Sequence, residues 1–213
     1  MENNEKKKNT LVHDTIAIFL ITLVAGILLG GVYQITKDTI TKREEDATNE
    51  AYAAVYKDAT FKEDDAVTKA KDAFNEDLKA GKVESQAGYN LSDVEITDIR
   101  VADKGGYVLT TSGKGYGGAV KIALGVNDQG EIIGIQVTDC TNETPGLGQN
   151  SSKEEWNGQF KEASTAKEAV VDKDKESAKG DVVEISAISG ATITSRAVSR
   201  AVDGAMLLIA SLK

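Results

Sequence analysis

The sequence has very few of the residues that hold metals, clusters and disulfides. Its 213 residues include one Cys, one His and one Pro. A single cysteine, Cys140, cannot close an intramolecular disulfide, hold an iron–sulfur cluster or attach a c-type haem. A single histidine, His13, in the N-terminal tail cannot complete a Ser-His-Asp triad. We therefore predict no metal site, interpret Cys140 as a small buried apolar side chain, and expect any electron carrier to be organic.

The chain also lacks a concentrated cationic surface. Its formal net charge is −9 at pH 7, and the one run of basic residues is at positions 6–8. Binding to a nucleic acid requires clustered Lys and Arg that displace counterions from the phosphates. The composition therefore predicts no nucleic-acid partner.

One apolar segment is long enough to cross a membrane. Residues 15–36 contain no charged side chain, and as an α-helix they would extend roughly 33 Å, against about 30 Å for a hydrocarbon core. The alternative, a cleaved signal peptide, requires an Ala-x-Ala-like site, but Leu23 stands two residues before Ala25. We predict an uncleaved single-pass anchor over residues 15–36. Basic residues flank it on both sides, so the charge pattern alone does not give its orientation.

The rest of the chain has the pattern of an α+β domain. Residues 43–57 and 64–82 are rich in Ala, Glu, Lys and Asp and predict two helices, which we interpret as a stalk and lid within residues 37–90. Alternating apolar residues between Val94 and Val137, with a turn at 127–130, predict an antiparallel meander with at least two hairpins. Three further elements are expected in the domain at 91–213: a helix at 151–162, a strand at 181–186 and a final helix at 191–208.

Three short motifs in this domain are candidates for chemistry. The first contains Gly113, Gly115 and Gly118 and matches a G-x-G-x-x-G dinucleotide pattern. That pattern has meaning only between a strand and a helix, whereas here a strand follows. We interpret the glycines as a hairpin turn or as a place where a ligand approaches the backbone.

The second motif is Glu-Thr-Pro-Gly-Leu-Gly at residues 143–148 and holds the only proline. Pro145 fixes its own φ and Gly146 can adopt a positive φ, so residues 144–147 are expected to form a rigid turn. Such a turn suits the edge of a planar ligand. An ordinary connecting turn is the alternative.

The third motif is Ser-Gly-Ala-Thr at residues 189–192, where the last strand meets the last helix. Ser189 or Thr192 is at the position of an N-cap residue. The same geometry is a binding place for phosphate, because free amides and the helix dipole face an anion there. The Thr192 hydroxyl could therefore be esterified to a phosphate, and Arg196 could add a counter-charge.

In their order along the chain these motifs resemble the FMN-binding domain family. With its single N-terminal anchor, the whole chain resembles the G subunits of Rnf-type ion-translocating ferredoxin:NAD oxidoreductase complexes. The resemblance implies a membrane-bound redox subunit that is not catalytic alone and carries electrons within a complex coupled to Na⁺ or H⁺ movement. It also implies a plasma-membrane location, with residues 1–14 as a short cytoplasmic tail and the soluble domain outside the cytoplasm.

The resemblance assigns roles to residues of all but the first motif. A flavin transferase is expected to move FMN from FAD onto Thr192, leaving FMN joined to it by a phosphate ester. The cofactor-binding residues that the resemblance implies are Ser189, Gly190, Ala191, Glu143, Thr144, Gly146 and Leu147. In one respect the sequence departs from the family, since Ser186 stands where the transferase motif has Asp.

Three other interpretations stay open on the sequence. The C subunit of the sodium-translocating NADH:quinone reductase shares these motifs but is usually longer. A stand-alone flavinylated protein for extracellular electron transfer is a second possibility. The third, of another class, is a non-catalytic membrane-anchored binding or scaffold module. The coupling ion, the flavin potential and the immediate electron donor and acceptor are not encoded in these motifs.

Overall fold

The computed structural model describes residues 2–213, and the side chains of residues 13–37 and 39–213. The chain divides after Ala47 into two compact units. The first helix, α1 (Glu2–Val55), contains an apolar stretch, His13–Lys37, of 25 residues with mean hydropathy 2.5, none of it buried. Of the predicted cytoplasmic tail, the side chains before His13 are outside the described residues.

The apolar side chains of this stretch are exposed all along the helix. Phe19 is 63% exposed and Leu29 is 72% exposed, and most of their apolar neighbours are similar. Exposed apolar area on this scale, on a helix long enough to cross a bilayer, is consistent with a membrane anchor. The stretch His13–Lys37 includes the whole of the predicted anchor at 15–36.

The second unit begins within the last turns of α1. Tyr52 is fully buried and packs with Val55, Tyr56, Val108 and Ala123 in a small apolar cluster. The Tyr52 hydroxyl donates to Asp98 Oδ2 at 2.9 Å, and burial raises the pKa of this phenol. Residues from Thr48 onward therefore belong to the compact second unit, and a free-standing stalk could involve only residues before Thr48.

The main sheet is a five-stranded antiparallel meander in chain order, as predicted. Its strands are β1 (Phe61–Lys62), β2 (Glu95–Ala102), β3 (Tyr107–Lys114), β4 (Ala119–Val126) and β5 (Ile132–Asp139). The two-residue β1 is too short for a sequence pattern and was not predicted. Between β1 and β2 lies α2 (Asp65–Lys79), where the Asp64 carboxylate caps the helix by accepting from the amides of Ala66 and Val67.

The predicted helix at residues 151–162 is wrong as a single element. The chain instead forms a 3₁₀ helix (Gly148–Ser152), the short α3 (Glu154–Asn157) and a second 3₁₀ helix (Gly158–Glu162). Lys153 is extended, with ψ 128°, and a helix cannot continue through an extended residue.

A second, two-stranded sheet precedes the last helix. Here β6 (Glu168–Val171) pairs in parallel with β7 (Val182–Ile185). A 3₁₀ helix, Asp172–Ser177, follows β6 directly. The strand prediction at 181–186 is confirmed by β7, whereas β6, with three apolar residues in a row, was not predicted.

The final helix, α4 (Thr192–Ser211), covers one face of the main sheet. Its fully buried side chains include Val198, Val202, Leu208 and Ile209. Gly113 allows α4 to pack closely against β3, because a Cβ on this residue would collide with the carbonyl oxygen of Ala197. The first turn of α4 is thereby held beside the β3–β4 hairpin, where the candidate site forms.

Candidate functional site

Three glycine-containing turns surround one cavity of about 530 Å³. The turns are the β3–β4 hairpin at 115–118, the loop after β5 at 143–148, and the connection from β7 to α4 at 189–192. The volume lies in the range of small-molecule and cofactor sites. The lining residues are Tyr116, Glu143, Thr144, Leu147, Gly148, Lys173, Gly190, Ala191, Thr192, Ile193 and Thr194.

The hairpin turn confirms the interpretation of the first glycine motif. Lys114 pairs with Ala119 at the end of the ladder, and the amide of Gly115 donates to the carbonyl of Gly118 at 2.7 Å. The chain then enters β4 and not a helix. Close packing against residue 142 leaves no room for a side chain at Gly117, because a Cβ there would collide with the Asn142 carbonyl.

A buried carboxylate joins the first two turns to the start of α4. Glu143 is 2% exposed; one oxygen accepts from the Gly117 amide at 2.8 Å, and the other accepts a short hydrogen bond from the Thr194 hydroxyl. A Cβ on Gly115 would lie 2.5 Å from Oε1, and one on Gly148 would lie 2.6 Å from Oε2. The two glycines thus leave the space that the carboxylate occupies.

The second motif forms the turn that its Pro-Gly pair predicts. The Leu147 amide donates to the Thr144 carbonyl at 3.1 Å, and Gly146 has φ 76°. Leu147 is 40% exposed, and a Cβ on Gly190 would approach its Cδ2 to 3.1 Å. This leucine therefore lies on the cavity wall against the third turn.

Ala191, and not Ser189 or Thr192, is the N-cap residue of α4, so the predicted capping role of those two side chains is wrong. Ala191 has no side-chain cap bond, and Thr192 is the first helical residue. Ser195 instead joins the helix to the preceding connection, because its hydroxyl accepts from the Ile188 amide and donates to the Ala191 carbonyl, both at 3.0 Å. The Thr192 hydroxyl is thereby left for the cavity.

The residue that the sequence reasoning missed is Lys173. Its Nζ donates to Thr192 Oγ1 at 3.3 Å, and it lines the cavity. In the sequence it lies within a run of charged residues at 172–176, which has the pattern of a solvated surface. The parallel pairing of β6 with β7 and the pairing of Asp174 with Arg196 bring this run beside α4.

Arg196, predicted as a phosphate contact, is directed elsewhere. Its Nε and one terminal nitrogen donate to the two carboxylate oxygens of Asp174, each at 2.6 Å. This hydrogen-bonded pairing lowers the pKa of Asp174 and raises that of Arg196. Arg196 is absent from the residues that line the cavity.

The other predicted site residues fall into two groups. Those that line the cavity are Glu143, Thr144, Leu147, Gly190, Ala191 and Thr192. Gly146 and Ser189 lie in the same turns without lining it.

Cys140 is half buried and packs against the main core. Within the part of the chain that the structure describes, no group of three or more His, Cys, Asp or Glu side chains suits a metal ion.

The electrostatics of the cavity favour an anion near Thr192. The ammonium of Lys173 lies at the Thr192 hydroxyl. The first-turn amides of α4, residues 192–194, have no acceptor within the helix because of their position, and they lie at the positive end of its dipole. Further along the wall, Tyr116, Leu147 and Ile193 are 74%, 40% and 47% exposed. The cavity thus has an anion-binding end and an apolar surface side by side.

Known proteins resemble this chain over most of its length. Residues 115–206 match the FMN-binding domain family. The chain is 31% identical over 206 residues, 95% of this chain and 93% of the relative, to the G subunit of the proton-translocating ferredoxin:NAD(+) oxidoreductase complex of Clostridium ljungdahlii. It is 32% identical over 191 residues, 87% of this chain and 85% of the relative, to the G subunit of the Na(+)-translocating complex of Acetobacterium woodii.

A solved structure also shows some likeness. The C subunit of the Na(+)-translocating NADH-quinone reductase from Parabacteroides distasonis is 22% identical, with 67% of this chain and 91% of that chain covered and a TM-score of 0.44. A likeness of this size supports no conclusion about fold or function.

Proposed function

The chain belongs to the family of G subunits of ion-translocating ferredoxin:NAD(+) oxidoreductase complexes, and we propose that it carries electrons through an FMN joined by its phosphate to Thr192 Oγ1. The observation that carries this proposal is the Thr192 hydroxyl itself. It lies on the cavity wall, is not used as a helix cap, and has a lysine ammonium 3.3 Å away.

The residues present fit a phosphate-bearing flavin. At the start of α4, free amides and the helix dipole suit a phosphate, and Gly190, with φ 74°, turns the chain there without a side chain in the way. Leu147 and Tyr116 offer exposed apolar surface for a planar ring. Glu143 would act indirectly, because it holds the turns that form the wall.

Attachment would require a partner enzyme, a flavin transferase that uses FAD. In this step the Thr192 oxygen forms a bond to the FMN phosphorus, the pyrophosphate bond of FAD breaks, and AMP and the hydroxyl proton are released. The product is a phosphodiester with one negative charge. The first-turn amides and Lys173 would stabilise that charge.

A bound FMN would supply the electron-transfer chemistry, while the chain supplies position and electrostatics. No described side chain needs to act as a general acid or base. The partners are the other subunits of a membrane complex that couples ferredoxin oxidation and NAD reduction to ion movement. The two relatives are named for different ions, H⁺ and Na⁺, so the proposal includes no particular ion.

The membrane arrangement is part of the same proposal. The stretch His13–Lys37 would anchor the chain, with residues 1–14 in the cytoplasm and the second unit outside it. A covalent link then prevents loss of the cofactor from an extracytoplasmic domain. Labelling of a cysteine introduced at exposed Lys179 by a membrane-impermeant thiol reagent on intact cells tests this orientation, and labelling only after lysis contradicts it.

The proposed linkage is tested on the full chain made in cells that contain the transferase. We expect the denatured protein to have the mass of an FMN adduct and to fluoresce in a denaturing gel. Thr192→Ala should abolish both signals, whereas Thr192→Ser keeps a hydroxyl and should retain part of them. A wild-type chain without the adduct would overturn the proposal and favour a non-catalytic anchored module.

A further inference from the structure

The cation at Thr192 comes from a segment outside the three motifs. Lys173 lies on the 3₁₀ helix Asp172–Ser177, between β6 and β7. Among the residues that line the cavity, all of which the structure describes, Lys173 is the only one with a positive charge. One cation therefore faces the one hydroxyl that the proposed function esterifies.

The segment that carries Lys173 is tied to its surroundings on both sides of the lysine. Before it, Asp172 Oδ1 accepts from the Lys173 amide at 2.8 Å and from the Ala187 amide, in the connection to α4, at 3.3 Å. After it, Asp174 accepts two hydrogen bonds from Arg196 of α4. The backbone of Lys173 is thus fixed relative to the first turn of α4.

Tyr89 holds the same segment from a third direction. Its hydroxyl accepts from the Val171 amide at 2.9 Å and donates to Asp174 Oδ2 at 3.3 Å. Burial raises the pKa of this phenol, so the hydroxyl keeps the proton that it donates. Asp174 is therefore bonded by groups that stay protonated over the ordinary pH range.

We propose that Lys173 recognises the phosphate at Thr192, and that Asp172 and the Asp174–Arg196 pair are positioning residues for it. This rests on the proposed function, since it requires a phosphate on Thr192. An ammonium within hydrogen-bond distance of Oγ1 is also within reach of the non-bridging oxygens of a phosphate esterified there. Arg196 then acts through Asp174 and not by direct contact.

The test measures how fast the apo chain accepts FMN. Full-length chain made without the transferase is purified in detergent and incubated with FAD and transferase, and the adduct is followed by denaturing mass spectrometry. A charged hydrogen bond lost from the phosphate predicts an initial rate about tenfold lower for Lys173→Met. Lys173→Glu should be slower still, and Lys173→Arg should stay within about threefold of wild type.

A matched control lies two residues away on the same segment. Lys175 pairs with Glu184 and does not line the cavity, so Lys175→Met should leave the rate within about twofold of wild type. Thermal unfolding of the apo Lys173 and Lys175 variants should agree with that of wild type within about 2 °C. A rate that follows the charge at position 173 at constant stability is not expected of a merely structural residue.

The positioning role has its own readout. Asp174→Asn should slow attachment in the wild-type background and add little in the Lys173→Met background, because both changes remove the same interaction. Full additivity of the two changes would overturn the positioning role.

The failures of the two proposals are distinguishable. If wild type accepts FMN and Lys173→Glu accepts it equally fast, the inference on Lys173 is overturned and the attachment at Thr192 stands. If Lys175→Met is as slow as Lys173→Met, the stability of the segment and not the charge of Lys173 is responsible, which also overturns it. If wild type accepts no FMN, the proposed function is overturned.

Discussion

The first turn of α4 and the middle of the same helix bury polar side chains in opposite ways. Ser195 and Ser199 lie four residues apart and both are fully buried. Ser195 Oγ makes hydrogen bonds to the Ile188 amide and the Ala191 carbonyl. Ser199 Oγ has no hydrogen-bond partner among the residues that the structure describes. The two serines thus differ in pairing and not in burial.

Two buried carboxylates repeat this contrast. Both oxygens of Glu143, beside the first turn, accept hydrogen bonds from Gly117 and Thr194. Asp203, in the middle of α4, accepts from the Ala169 amide at 2.7 Å through one oxygen, and its other oxygen has no partner in the described part of the chain. Pairing is complete where polar groups fix the turns of the cavity. In the middle of the helix, apolar packing carries the stability and unpaired polar atoms reduce it.

We expect the largest effect on stability from Glu143→Ala, which removes the fully hydrogen-bonded carboxylate beside the first turn of α4. The change leaves the Gly117 amide and the Thr194 hydroxyl without an acceptor and should lower the free energy of unfolding by about 3 kcal/mol. The proposed attachment of FMN at Thr192 should also fall, because the cavity wall loosens. Urea unfolding and in-gel fluorescence measure the two effects. Exposed Glu154→Ala is the control, with a change below about 0.5 kcal/mol; equal unfolding of Glu143→Ala and wild type would contradict this role of Glu143.

Asp203→Asn tests the carboxylate with one unpaired oxygen through the pH dependence of stability. Burial raises the pKa of Asp203 well above its usual value, and the charge of Glu168 adds to this. The folded state therefore holds this proton at a pH where the unfolded chain has lost it, so Asp203 costs stability as pH rises above about 4. Asn carries no charge at any pH. We therefore expect the variant to be more stable than wild type at pH 8, by a margin that grows as the pH rises above about 4.

At pH 4 the difference between Asp203→Asn and wild type should be much smaller than at pH 8, because the wild-type side chain is then neutral in the folded state and only about half ionised in the unfolded chain. Thermal unfolding at the two pH values measures it. A variant that is less stable than wild type at pH 8 would show that the Asp203 carboxylate has a partner which compensates its burial.

The features that could be predicted from the sequence are those that depend on residues close together in the chain. Alternating apolar residues predicted β2 to β5, because these strands pair with neighbours along the chain, and the Pro-Gly pair predicted the turn at 144–147. Both signals are local. The periodicity of α4 likewise predicted the helix within a few residues of its ends.

The contacts that the sequence did not predict join distant residues. Glu143 bonds to Thr194, 51 positions later, and Lys173 reaches Thr192 from the segment that follows β6, a four-residue strand that pairs with the distant β7. The N-cap prediction was wrong for a related reason. The sequence shows Ser and Thr near the helix start but not which of them bonds to the backbone, and here it is Ser195, from inside the helix, that bonds to Ile188 and Ala191.

Ser195→Ala should have a smaller effect than Glu143→Ala and the opposite sign to Asp203→Asn. It removes the acceptor of the Ile188 amide and the donor to the Ala191 carbonyl, at a cost of about 1–2 kcal/mol. Because those two residues enclose the turn that carries Gly190, FMN attachment at Thr192 should also slow. Urea unfolding and the rate of adduct formation measure both. A stability unchanged from wild type would mean that water replaces the lost bonds.

Ser199→Ala should have the smallest effect and completes the comparison. The site is equally buried, yet no bond is lost, and an unpaired hydroxyl in an apolar environment costs free energy that a methyl group does not. We therefore expect the free energy of unfolding to rise by about 0.5–1 kcal/mol and FMN attachment to stay at the wild-type rate. If Ser199→Ala destabilises the protein as much as Ser195→Ala, the two buried hydroxyls contribute equally to stability. The hydrogen bonds of Ser195 would then be no sign that the first turn of α4 is built around the cavity.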